Sequence, residues 1–180
     1  GDGQPKYLNS PETPIFNKRR TLYNINYAKD EGYKARNFLI CEGYMDVIAL
    51  DRFGFGYAAA PMGTALTEEQ IKLAWKIVPE PILCFDGDNA GKEATIRAIP
   101  LLEEAGITVK VVRLEEKDPD EFIKNLGAEA FEERIQKARN GFMFSLEVLE
   151  KDFDMEFYGK DSKNDLDLFE LYLSEIGKYK

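Results

Sequence analysis

Five acidic side chains stand where residue type and spacing make chemistry possible: Glu42, Asp86, Asp88, Asp118 and Asp120. Glu42 directly follows the apolar run "FLIC", and Asp86 and Asp88 flank one glycine at the end of "PILCFDGD". Asp118 and Asp120 flank Pro119 shortly after "ITVKVVRL". Like charges this close repel each other unless a helix N-terminus uses them as caps or a cation lies between them. Carboxylates at i and i+2 of an extended segment point to the same side. A ligand set made only of oxygen suits a hard divalent ion such as magnesium or manganese, with a polyphosphate behind it. Glycines at 43, 87 and 91 let backbone and substrate approach closely, as ordinary turns also would.

Each acid has a plainer structural reading. Asp88 or Asn89 can cap the helix that follows, and Asp118-Pro119-Asp120-Glu121 reads as a cap, a first-turn proline and a capping-box glutamate. For Asp118 taken singly, capping is the stronger reading. Glu42 is different, because it abuts an apolar strand and a glycine where no cap is needed. The stretch "DGDNAGKEATIR" is not a calcium loop, since Ala90 and Arg97 stand where a ligand and the bidentate glutamate belong. Neither GxxxxGK[ST] nor a GxGxxG after the first strand is present, which disfavours a Walker-type nucleotide site and a dinucleotide fold.

The elements that must position these acids alternate in type. "FLICEG" reads as a buried strand, "YMDVIALDRFG" as a helix stopping on Gly54, and "YAAAPMG" as a strand and turn. "TEEQIKLAWKIV" starts like a helix, "PILCFDGD" is a third strand, "NAGKEATIRAIPLLEEAG" a helix with a possible kink at Pro100, and "ITVKVVRL" a fourth strand. Strands separated by helices imply right-handed crossovers and a mainly parallel sheet covered on both faces: an α/β, doubly wound fold. Ligands of such sheets bind at the carboxyl ends of the strands, where all five acids lie. Upstream, Pro5, Pro11 and Pro14 break regular structure, and "FNKRRTLYNINYAKDEG" holds at most a short strand or turn of helix. Downstream, "DPDEFIKNLGAEAFEERIQKA", "GFMFSLEVLEKDF" and "DLDLFELYLSEIGKYK" have helical spacing, the last with Leu166, Phe169, Leu173 and Ile176 on one side, expected to pack on other helices of the tail.

Composition bounds the class. A chain of 180 residues that is 44% hydrophobic and 12% aromatic supports a packed globule. It lacks an apolar run of the ~20 residues that a membrane span needs, so a soluble, unsecreted protein is expected. Two cysteines, Cys41 and Cys84, and no histidine leave too few soft ligands for zinc; both cysteines read as reduced core thiols, in keeping with cytoplasm. The net charge of −9 argues against a nucleic-acid partner, but its distribution does not: residues 1–36 carry seven basic against four acidic side chains, a net +3, which leaves −12 for the remainder. The start on Gly-Asp-Gly suggests a piece of a longer protein.

Taken together, "EGYMDVIAL", "MGTALTEEQIKLAWK", "CFDGDNAGKEAT" and "EKDPDEFI" resemble the TOPRIM domain of bacterial DnaG-type primases. "PKYLNSPETPIFNKRRTLYN" is similar to the stretch that links the basic N-terminal subdomain of such primases to TOPRIM, and "GFMFSLEVLEKDFD" to their helical C-terminal subdomain. The resemblance implies a basic leader over 1–36, a TOPRIM domain over 37–125 and a helical subdomain over 126–180. It implies RNA primer synthesis on single-stranded DNA from ribonucleoside triphosphates, in the bacterial replisome, with magnesium held by Glu42, Asp86 and Asp88. By the same resemblance Asp118 and Asp120 bind a second ion or order the first, and Lys6, Tyr7, Asn9, Lys18 and Gly43 lie near nucleotide or template. Replicative helicase and the family's zinc-binding domain would be met only through parts absent from this chain. Where many relatives have histidine in "IFxK", Asn17 stands here. Two alternatives remain open: another TOPRIM enzyme, a topoisomerase or nuclease, and a non-catalytic binding module whose acids only cap helices.

Overall fold

The computed structural model describes residues 10–114 and 118–148. Its centre is a five-stranded sheet of order β2-β1-β3-β4-β5, formed by β1 (Leu39–Cys41), β2 (Ala58–Ala59), β3 (Ile82–Cys84), β4 (Lys110–Val111) and β5 (Arg139–Asn140). The first four are parallel and β5 is antiparallel to β4. The α/β expectation therefore holds, with one addition: a two-residue edge strand that shows no alternation for a sequence to reveal. It forms because the chain passes β4 closely enough for the Gly141 N–H to donate to the Val109 carbonyl at 2.9 Å.

Strand residues alternate between two cores. Ile40, Leu83 and Val111 face the side covered by α1 (Ile25–Ala35), α3 (Glu68–Trp75) and α4 (Asn89–Glu104), through Ala28, Ile71, Ala74, Ile99 and Leu102. Leu39, Cys41, Ile82 and Cys84 face the side covered by α2 (Tyr44–Arg52) and α5 (Pro119–Gln136), through Val47, Leu50, Phe122, Ile123 and Phe131. Burial on both faces explains why β1 and β3 read as unbroken apolar runs. Cys41 and Cys84 are register partners in adjacent strands, buried and free.

Three local outcomes differ from the sequence expectation. Residues 25–35 form an 11-residue helix where at most one turn was expected. The leader's prolines, Pro5, Pro11 and Pro14, all lie upstream of it, and tertiary packing makes up for its modest propensity: a Cβ on Gly32 would stand 2.9 Å from Ile77 Cγ2, so glycine lets α1 sit this close. Helix α4 runs through Pro100 as one element. Helix α5 contains a break at Gly127, whose φ of 85° favours glycine. The segment "DLDLFELYLSEIGKYK", with its expected apolar side, lies outside the described residues.

Candidate functional site

Because β1 to β4 are parallel, their carboxyl ends share one edge of the sheet. Strand β1 pairs with β2 on one side and β3 on the other, and the helices leaving β1 and β3, α2 and α4, cover opposite faces. The crevice of the fold therefore opens between β1 and β3. Glu42 is the first residue past β1, and Asp86 follows β3 with only Phe85 between. These two carboxylates flank the place where strand order reverses.

Asp86 is the electrostatic focus of this edge. Its carboxyl is pushed up to about 7, first by burial and then by the negative charges of Glu42, Asp46, Asp118 and Asp88. Asp46 belongs to the same group. It is 7% exposed, and burial together with Asp118 and Asp120 raises it to about 6, against the stabilising N–H groups of Gly43 and Asp120. The Gly43 N–H donates to Asp46 Oδ2 at 3.2 Å, which ties the turn after Glu42 to the buried acid. Sequence reasoning missed Asp46, since an acid three residues past a helix-starting glycine reads as an ordinary capping residue.

The readings of Asp88 and Asp118 as helix caps are also correct. Asp88 Oδ1 accepts from the Gly91 N–H at 2.9 Å and starts α4, while Asp118 Oδ1 accepts from the Glu121 N–H at 2.7 Å and starts α5, with Pro119 in its first turn. Residues 87–88 form a bend, so Asp86 and Asp88 do not lie on one straight extended segment. Asp120 Oδ2 pairs with Lys124 Nζ at 2.6 Å. Among the described residues, no three acidic or cysteine side chains are gathered tightly enough to enclose an ion. The acids form an open set of mutually repelling neighbours. An open set of oxygens carrying excess negative charge fits magnesium, which keeps several of its waters and is bound through one or two carboxylates plus substrate phosphates.

Gly91 is what brings α4 onto this turn. A Cβ there would stand 2.2 Å from the Asp86 carbonyl oxygen and 2.9 Å from its amide nitrogen, so the backbone of the helix lies directly on the backbone of Asp86. Gly43 differs, since a Cβ there would meet Asp46 Oδ2 only at 3.4 Å, an ordinary contact.

The basic leader reaches the same edge. Tyr23 pairs with Ala60, just past β2, and its ring lies 5.8 Å from that of Tyr44, two residues beyond Glu42. Lys18 lies in the short 3-10 turn Lys18–Arg20 and Asn17 caps it, accepting from the Arg19 N–H at 3.0 Å. The departure at Asn17 thus has a structural role. Lys6, Tyr7 and Asn9 lie outside the described residues.

Comparison with known proteins completes the picture. Residues 39–123 match the Toprim-like family and residues 1–29 match the N-terminal domain of the DNA primase catalytic core. The DNA primase of Enterococcus faecalis is 48% identical over 141 residues, covering 77% of this chain. A crystal structure of a DNA primase domain from Pseudomonas aeruginosa aligns with a TM-score of 0.76 at 39% identity, over 84% of this chain and 49% of that one. The chain belongs to the DnaG-type DNA primases. It spans only 22% of the Enterococcus faecalis primase's length. A DnaG primase catalytic domain solved bound to single-stranded DNA aligns with a TM-score of 0.74 at 37% identity, over 84% of this chain and 49% of that one. Among the described residues of this primase segment, no helix is long and apolar enough to cross a membrane.

A pH dependence arises from the acid group. In the folded chain Asp86 and Asp46 titrate near 7 and 6, against 3.8 as their ordinary value. Between those limits the folded state holds more protons than the unfolded one, so each rise in pH costs stability. The metal-free chain is expected to melt at a lower temperature at pH 8 than at pH 5, and the fall is expected to shrink in Asp86→Asn. Thermal melts of both proteins across that range check this; an equal fall in the two would contradict it.

Proposed function

We propose that this chain supplies the metal-binding part of a primase's nucleotidyl-transfer site, used to make short RNA primers on single-stranded DNA. The observation that carries the reading is Asp86, held at the strand-order reversal and acted on by four other carboxylates. In this reading magnesium or manganese is held through one or two carboxylates of Glu42, Asp86 and Asp88 together with substrate phosphates, beside the buried Asp46, while Asp118 and Asp120 order that set or hold a second ion. The ion supplies charge stabilisation for the attacking 3′-hydroxyl oxygen and for the departing pyrophosphate. The protein's own contribution is placement. Gly91 fixes the Asp86 backbone, the Gly43 N–H orients Asp46, and the caps formed by Asp88 and Asp118 start the two helices that wall the site. Lys92 and Arg113 share a crevice with Asp86 and Gly87 and also line the adjoining cavity of about 310 Å³, where they can hold phosphate. Lys6, Tyr7, Asn9, Lys18 and Gly43 contact nucleotide or template.

Support for the competing reading, acids that only cap helices, comes from the two caps themselves. Titration of the chain with manganese, followed by calorimetry, separates the two, because capping creates no affinity for a divalent ion. Saturable binding that Asp86→Asn weakens is expected; absence of binding would overturn the catalytic reading.

The chain alone is expected to make no primers. Single strands are gripped by positively charged grooves, and here only residues 1–36 are net positive, at +3, while the remainder carries −12, for a total of −9. A template-directed dinucleotide assay with magnesium or manganese checks this. Template-dependent product from the purified 180-residue chain would show that this segment suffices.

A further inference from the structure

The turn that carries Lys18, Arg19 and Arg20 is held from α3 by one buried amide. Gln70, at the third position of α3, is fully buried. Its Oε1 accepts from the Thr67 N–H at 3.0 Å, and Thr67 Oγ1 accepts from the Gln70 N–H at 3.2 Å, which closes a capping box. Its Nε2 makes contacts that a cap does not require: it donates to the carbonyls of Lys18 at 2.7 Å and Thr21 at 3.0 Å. Thr67 Oγ1 in turn donates to the Arg19 carbonyl at 2.7 Å. The first turn of α3 therefore holds three carbonyls of the Lys18–Thr21 turn. The side chains of Arg19 and Arg20 remain exposed and that of Lys18 partly so.

The choice of residue is informative. Glutamate would close the capping box equally well, so the amide's NH2 group is the part that serves the leader. The chain just beyond the turn is anchored separately: Leu22 is 1% exposed, Tyr23 pairs with Ala60, and Asn24 Nδ2 donates to the Ala58 carbonyl at 3.0 Å. The grip of Gln70 is thus local to residues 18–21.

We propose that Gln70, assisted by Thr67, is a positioning residue that locks the Lys18–Arg20 turn onto the sheet domain so that its cations meet the phosphates of single-stranded nucleic acid as one fixed group. The binding role rests on the function proposed above; the lock itself does not. Cations held in place lose less freedom on meeting phosphates, which strengthens binding, and each phosphate they neutralise adds to its salt dependence.

The test uses Gln70→Glu in the 180-residue chain. This variant keeps an oxygen for the Thr67 N–H but sets a carboxylate against two carbonyl oxygens. Hydrogen exchange of the Arg20 and Thr21 amides, bonded to the Asn17 and Lys18 carbonyls, is expected to accelerate at least about tenfold, while exchange in Leu39–Cys41 and Ile82–Cys84 stays unchanged. Binding of a fluorescent oligothymidylate at low salt is expected to weaken. Its logarithmic salt slope is expected to flatten by roughly 0.7 for each phosphate that the turn no longer neutralises. Gln70→Ala, which leaves the same carbonyls unpaired without adding charge, is the second variant should Gln70→Glu not fold. Unchanged exchange in the turn would overturn the lock. Loosened exchange with unchanged affinity and slope, while the combined Lys18→Ala, Arg19→Ala and Arg20→Ala change weakens binding, would overturn the positioning role and leave the functional reading standing. Failure of the unaltered chain to bind the oligonucleotide even at low salt would overturn the positioning role and leave the metal-site reading, which manganese titration tests, standing.

Discussion

Replacing Asp86 by asparagine is expected to raise the melting temperature of the metal-free chain at pH 8 and to reduce its affinity for manganese on the order of tenfold or more. The two effects have one cause. In the folded chain the Asp86 carboxyl is pushed up to about 7 by burial and by Glu42, Asp46, Asp118 and Asp88, so at pH 8 it is ionised at a cost. Asparagine has the same shape without the charge, which removes the repulsion and one anionic oxygen donor together. In a catalytically complete primase carrying this segment, the same change is expected to lower primer synthesis by roughly 100-fold or more, as loss of a group that stabilises transition-state charge does. Differential scanning calorimetry with and without manganese measures the first pair of effects. A lower melting temperature in Asp86→Asn would mean that Asp86 makes a stabilising bond that outweighs the repulsion, and the metal-site reading would lose its main support.

Among the described glycines, Gly91→Ala is expected to be the most damaging substitution. The added Cβ would fall 2.2 Å from the Asp86 carbonyl oxygen and 2.9 Å from two other Asp86 backbone atoms. Nothing flexible can yield, because the clash is with main chain. Either the first turn of α4 lifts off, which also breaks the Asp88 cap to the Gly91 N–H, or the turn carrying Asp86 shifts. Both outcomes move carboxylates at the site. Overpacking of this kind costs about 1–3 kcal/mol, and loss of the cap adds about 1 kcal/mol. Gly43→Ala serves as the control, since its nearest contact is the Asp46 carboxylate at 3.4 Å and its φ of −126° is open to any residue. Denaturant melts and manganese titration of both variants are expected to show a large loss for Gly91→Ala and a small one for Gly43→Ala. Equal, small losses would show that α4 and the Asp86 turn adjust independently.

Much of the site was legible because its chemistry is local. The apolar runs before Glu42 and Asp86 are strands buried on both faces, and such runs end where the chain turns. Asp118 followed by Pro119 and Glu121 announces a helix start, and α5 begins there. Asp46 was harder to find, since the same residue type at the same helix position serves as a plain cap on many helices. Only burial and the approach of Asp118 and Asp120 from a distant segment mark it as part of the acid group. The edge strand Arg139–Asn140 left no trace either, because two exposed residues carry no periodicity.

By itself the sequence determined the α/β class, the type and spacing of the acids, and the concentration of positive charge in the leader, because hydrophobic periodicity, capping chemistry and charge are properties of neighbouring residues. Three things were decided only in three dimensions. Strand order placed the reversal between β1 and β3, so that Glu42 and Asp86, 44 positions apart, flank one crevice. Close packing of backbone on backbone made Gly91, and not Gly43, the glycine that the Asp86 turn requires. A buried amide on α3 took hold of carbonyls about fifty residues upstream and so fixed the backbone of the Lys18–Arg20 turn. Each of these depends on contacts between segments distant in the chain, and pairwise distances of that kind are not encoded in any local pattern of residues.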